Sequence, residues 1–282
     1  MDLFRKWGKP VLILAVFFTI AYLMPAEPID PWQMFSLKKA AYMVFALAFI
    51  EALGAAAIRL LGNRKGAILT GFFGGLVSST ATTVDLARDS VDAPPEDLGK
   101  QTLTFLSATL AMLTEGVVLL LLGTTEIHVP LLLILSGPIL AVVLMIVILT
   151  MRIPHREVAD REVQLEILPI IKLAAFIIAI LAISKLLQHF LGHSGLIVLT
   201  FLVSLFEIHG SVIANIQMHD AGAFGVEFLG GLITLSVTAS FISKMFLLWT
   251  IGTHKLRRAA MRYTIALFAV LIASWLVFMT VV

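Results

Sequence analysis

The 282-residue sequence contains no cysteine. That absence excludes a disulfide framework, a thiolate metal site and a cysteine nucleophile. Charge is scarce as well: Asp, Glu, Lys and Arg make up 13% of the chain, against roughly 25% in an ordinary soluble domain. The net charge of +2 offers no field for a phosphate backbone, so no nucleic-acid partner is expected. Familiar chemical motifs are also missing. Gly62-Asn63-Arg64-Lys65-Gly66 is a short basic turn and not a phosphate loop. No H-E-x-x-H, G-x-S-x-G or pair of intramembrane aspartates occurs. The expectation is a protein that is not an enzyme and carries no cofactor.

What fills the chain is apolar: 60% hydrophobic residues and a mean hydropathy of +1.02. Such a composition excludes a soluble globular enzyme and a disordered tail, and implies an integral membrane protein in contact with the lipid bilayer. A spanning helix needs about 20 apolar residues. Val129 to Met151 runs without a charge, which no outer-membrane strand of about ten residues requires. The fold class is therefore all-α, a polytopic protein with 7–9 membrane segments. Nine hydrophobic segments are read, at about 8–24, 35–61, 67–88, 99–123, 129–151, 167–190, 195–218, 224–252 and 261–282. They form one transmembrane domain over 1–282: an N-terminal helix (1–34), a first half (35–151) and a second half (164–282). The first segment, behind Arg5, Lys6 and Lys9, has the look of a signal peptide with cleavage after Ala26, but an uncleaved helix suits the rest equally well.

The halves look related. Gly66–Gly123 aligns without a gap to Gly195–Gly252 at an offset of 129, with Leu106-Ser107-Ala108-Thr109 on Leu235-Ser236-Val237-Thr238. Coincidence between apolar helices is the alternative, but internal repeats are common in transporters, which favours a true repeat. Basic residues bear on topology through the positive-inside rule. With nine crossings, eleven Lys and Arg residues fall on the amino-terminal side and seven on the other. If 67–88 and 195–218 each enter and leave by one face, the division becomes fifteen against three, namely Lys38, Lys39 and Lys185. The second arrangement makes the halves inverted repeats with broken or re-entrant helices. Both place the protein in the cytoplasmic membrane with its N-terminus cytoplasmic and its C-terminus outside.

Polar residues inside such segments single out candidates. Gly71, Gly74 and Gly75 precede Ser78-Ser79-Thr80-Ala81-Thr82-Thr83-Val84-Asp85. The glycines, with Gly71, Gly75 and Ser79 as a small-residue ladder, read as a packing surface. The hydroxyl run reads better as oxygen ligands or a pathway lining, with Ser78, Thr82 and Asp85 on one helical face. In the second half, Glu207, Ser211 and Asn215 share a face, and Gly210 offers a place to break the helix. Glu207 and His209 are candidates for proton transfer or cation coordination, and the candidate metal ligands, since intramembrane titratable groups are costly; a packing pair is the alternative. Glu115 and Lys244 are equivalent at the same offset and are expected to form an ion pair, as a lock first and a gate second. Glu51 is a further intramembrane charge that could face the same interior, and Lys172 is placed to snorkel.

These residues carry a resemblance. The stretch Gly66-Ala67-Ile68-Leu69-Thr70-Gly71 through Ser78-Ser79-Thr80-Ala81-Thr82-Thr83 is similar to the glycine-rich run of a prokaryotic membrane domain of unknown function that often follows an MgtC/SapB-type domain. The similarity extends from about Val11 to Gly252; no MgtC/SapB domain proper is read in the chain. Where that family tends to read G-L-x-D-x-D-A, this chain has Ser204-Leu205-Phe206-Glu207-Ile208-His209-Gly210, and the family tends to be basic near Glu115. The expected function is a secondary transporter or ion-conducting protein with a midplane site between 71–85 and 204–215, its substrate a cation or a proton-coupled small solute. Ser78, Ser79, Thr80, Thr82, Asp85, Glu207, His209, Ser211 and Asn215 form the expected site. Alternatives are a membrane regulatory or assembly protein and, third, a membrane-embedded enzyme. Homo-oligomerisation is left open.

Overall fold

Long apolar runs with no water to satisfy their backbone can only close their hydrogen bonds internally, as helices. The computed structural model describes residues 2–25, 36–61, 66–124, 129–152, 183 and 192–282, and among them the regular structure is helical throughout. The helices are α1 (Asp2–Leu23), α2 (Leu37–Leu61), α3 (Ala67–Asp92), α4 (Leu98–Gly123), α5 (Val129–Thr150), α6 (Gly192–Ser204), α7 (Ile208–Asp220), α8 (Val226–Ile251) and α9 (His254–Val281). The expected segment 167–190, with Lys172 and Lys185, and the cleavage site at Ala26 lie outside the described residues.

Two boundaries differ from expectation for identifiable reasons. The polar stretch after Arg88 was expected to be a loop, yet α3 runs on to Asp92 and a single 3₁₀ turn, Pro95–Asp97, leads into α4. The last helix begins at His254 and not near 261. Thr253 caps it through a hydrogen bond from the Leu256 N–H, so the basic cluster Lys255–Arg262 forms its first turns. Arg257 donates to the Gly252 carbonyl and stacks 4.5 Å from the Trp249 ring.

Within α3 the backbone breaks at Ser78 (φ −169°, ψ 108°). A Cβ placed on Gly74 would lie 3.0 Å from Thr82 Oγ1, although eight residues of continuous helix span about 12 Å. The helix therefore folds back on itself at Ser78, and α3 is a hairpin of arms 67–77 and 79–92. The first arm runs parallel to the start of α4. Thr104 Oγ1 donates to the Ala67 carbonyl (3.3 Å), Gly71 lies against Thr104 and Ser107, and Gly75 against Ala108 and Ala111. The expected glycine packing surface is thus present, with α4 as its partner.

The second half bends in the same way. After α6 the backbone is extended at Glu207 (φ −147°, ψ 99°) and α7 begins. Thr200 Oγ1 donates to Asn215 Oδ1 at 3.2 Å, across fifteen residues that would span about 22 Å as one helix. Replacing Thr200 with Val keeps the shape and leaves the buried Asn215 oxygen without its donor. We expect this to cost about 1–3 kcal/mol, seen as a lower melting temperature in detergent.

The two hairpins make matching contacts. Gly252, at the end of α8, lies against Ala87 of the first hairpin (3.6 Å from a Cβ position to Ala87 Cβ), and Thr253 N–H donates to Ser90 Oγ at 3.0 Å. Gly123, at the end of α4, lies against Ile216 of the second hairpin at 3.0 Å, and against Met43 near the start of α2. Both residues of the pair 87–252 sit 129 positions from a residue of the pair 123–216. At the same end as Gly123, Lys39 of α2 and Asp220 of α7 form a 2.6 Å salt bridge. The start of α4 and the end of α8 therefore share one end of the bundle, and these central helices run antiparallel. Leu106, Met112, Leu113 and Leu119 of α4, with Leu232, Ile233 and Leu248 of α8, are buried in the core. Helices α5 and α9 pack against each other at Gly137 and Ser274.

Candidate functional site

The hairpin tips meet in the middle of the bundle. Between them is a polar cavity of about 50 Å³, lined by Glu51 of α2, Gly75–Thr80 of the first hairpin, Glu115 of α4, Ser204 and Phe206–His209 of the second, and Ser240 of α8. Each tip is capped. Ser78 Oγ accepts from the Ala81 N–H (3.2 Å) and Glu207 Oε1 from the His209 N–H (2.9 Å). The two capping residues are 129 apart, and both cap the helix arm that leaves the break.

His209 bridges two acids. Its Nδ1 lies 3.1 Å from Glu207 Oε1, and its Nε2 lies 3.1 Å from Glu115 Oε2. The first is a hydrogen bond; the second is an ion-pair distance without an aligned hydrogen bond. Glu115 is 2% exposed, so this contact provides the compensation that a buried carboxylate requires.

Several expectations are corrected here. Glu115 and Lys244 do not form the expected ion pair: His209 from the second hairpin is the partner within reach of Glu115. Lys244, 1% exposed, donates to Ser240 Oγ at 2.7 Å and Met112 Sδ at 3.0 Å. Ser78 does not continue a helical face with Thr82 and Asp85, because the chain turns at Ser78. Thr82 faces Gly74 inside the hairpin, and Asp85 is exposed on the returning arm, outside the cavity. In the second half the break falls at 205–207 and not at Gly210, so Glu207 caps the helix that carries Ser211 and Asn215. Ser211 Oγ sits 3.5 Å from Ser236 Oγ, and Asn215 pairs with Thr200. Both are buried packing contacts beyond the cavity wall.

Ser78, Ser79, Thr80, Glu207, His209 and Glu51 all line the cavity. Ser204 and Ser240 were missed. The spacing of Ser240 and Lys244 by one helical turn is a signal that was present; Ser204 announces itself only through the offset, which places it opposite Gly75.

These features define a polytopic helical membrane protein with two broken-helix hairpins meeting at an interior polar cavity. The chain belongs to the family described as "domain of unknown function (DUF4010)", whose model matches residues 46–252. Neither the curated proteins nor the solved structures contain a match to it.

Proposed function

We propose that the protein is a secondary transporter or ion-conducting protein for a cation or proton-coupled solute, with its site at the meeting point of the two hairpins. The observation that carries this reading is the cavity itself. Two breaks, one in each half, face each other around three carboxylates and a row of hydroxyls in the interior of an apolar bundle. Broken helices at mid-membrane are where transporters place ions, and a packing role gives no reason to gather charges there.

In this reading the halves are inverted repeats. The offset of 129, the paired end contacts and the antiparallel course of α4 and α8 support that relation. Each hairpin enters and leaves by one face, leaving seven crossings. The fifteen-to-three division of basic residues then puts the amino terminus and the Ser90–Thr253 end in the cytoplasm, and the Lys39–Asp220 end outside. Flux into proteoliposomes tests the function. Wild-type protein carries cations or protons, and Glu207→Gln lowers the rate on the order of a hundredfold, as expected for about 2–3 kcal/mol lost when a charge that binds the ion is removed. Equal flux in Glu207→Gln and His209→Ala would sink the assignment.

A further inference from the structure

Among the described residues the cavity gathers more acids than bases. Two ring nitrogens each face a carboxylate at 3.1 Å, Nδ1 in a hydrogen bond with Glu207 and Nε2 at ion-pair distance from Glu115. One imidazole therefore serves two carboxylates. Around them, α2 contributes Glu51, α8 contributes Lys244, and the first hairpin contributes only hydroxyls at the cavity. Glu51 is thus a third acid and Lys244 a second base. Among the described residues three acids thus meet two bases, in surroundings where an unmatched charge is costly.

One oxygen is also unused. Ser204 is 2% exposed, lines the cavity, and its Oγ has no hydrogen-bond partner among the described residues. A space of about 50 Å³ holds a few waters at roughly 10–15 Å³ each, or an ion in their place, but no organic solute. The donors on offer are hard oxygens, which suit alkali and alkaline-earth cations.

We propose that the cavity binds one largely dehydrated monovalent inorganic cation of the sodium class, through Glu51, Ser204 and the hydroxyls of Ser78–Thr80, and that His209 sets this selectivity. By engaging Glu115 and Glu207 together, the imidazole leaves Glu51 as the cavity carboxylate it does not touch. A divalent ion would have to displace it. This inference rests on the cavity being the site of the proposed function, but equilibrium binding tests it without transport.

The experiment is saturable binding of radioactive sodium to the purified full chain in detergent, with magnesium as competitor. Wild type binds sodium, and magnesium competes at least about tenfold less well than unlabelled sodium. Ser204→Ala, which removes an oxygen with no hydrogen-bond partner among the described residues, weakens sodium binding about tenfold without changing the melting temperature. His209→Gln releases a carboxylate and inverts the preference towards magnesium. No saturable sodium binding, equal competition by magnesium in wild type, or an unchanged preference in folded His209→Gln would each overturn the proposal. If His209→Gln does not fold, unchanged sodium affinity in Ser204→Ala decides against it. Sodium binding without flux would remove the transport reading and leave this one. Flux without sodium binding would do the reverse.

Discussion

Gly75→Val is expected to be among the most damaging single substitutions in the protein. A Cβ at Gly75 would lie 2.7 Å from Ala108 Cα, 2.9 Å from the Ala108 carbonyl oxygen and 2.8 Å from Ala111 Cβ. The nearest obstacles are backbone and a methyl group, which have no rotamer in which to retreat. Overpacking in a well-filled interior costs about 1–3 kcal/mol and occasionally more. Here the extra volume would also lever the first arm away from α4 and open the cavity wall. We expect a large fall in melting temperature in detergent, with loss of the folded peak in size-exclusion chromatography. Gly231→Ala is the matched control. It lies in α8 with nothing within 4 Å of its Cβ position, and should be neutral or stabilising by the helix propensity of alanine. A Gly75→Val protein that melts with the wild type would mean that the arm does not rest on α4.

The second large effect is all-or-none and concerns topology. With no native cysteine, single cysteines can be introduced at exposed Asp92, Met151 and Glu227. If the hairpins return to the face from which they enter, a membrane-impermeant thiol reagent added outside intact cells labels Glu227→Cys and leaves Asp92→Cys and Met151→Cys unreacted until the membrane is opened. Nine plain crossings place all three outside. Labelling of Asp92→Cys in intact cells would therefore discard the seven-crossing arrangement, and with it the inverted relation of the halves.

The residues that could be read from sequence are those whose meaning is local. A glycine ladder marks a close approach whatever lies opposite, and Gly71 and Gly75 do meet α4. An acid and an imidazole two residues apart in an apolar run announce a site, and Glu207 and His209 line the cavity. The failures share a cause. A helical wheel assumes an unbroken helix, so it placed Ser78 with Thr82 and Asp85, and Glu207 with Ser211 and Asn215, across points at which the chain turns. Partners between helices were equally hidden. The offset placed Glu115 on Lys244, but equivalence under a repeat does not imply contact. The imidazole from the opposite hairpin is closer to the acid, and Lys244 finds a serine one turn back on its own helix. Burial of Ser204 and its idle hydroxyl follow from the assembled bundle alone.

The hairpins also constrain how the protein can be made. An arm such as 67–77 is about 16 Å long and α7 about 20 Å, while the hydrocarbon layer is about 30 Å thick. Neither is a stand-alone span, and each turns back with polar groups at its tip. The surface that accepts the first hairpin is on α4, and α8 packs against both hairpins. Each of these helices follows its own half's hairpin in the chain. During synthesis each hairpin must therefore wait at the membrane surface or inside the insertion machinery until the next helix arrives, and seat itself by folding back against a later element. Stalling synthesis just before α4 should leave the first hairpin accessible to protease, and release of the stall should bury it.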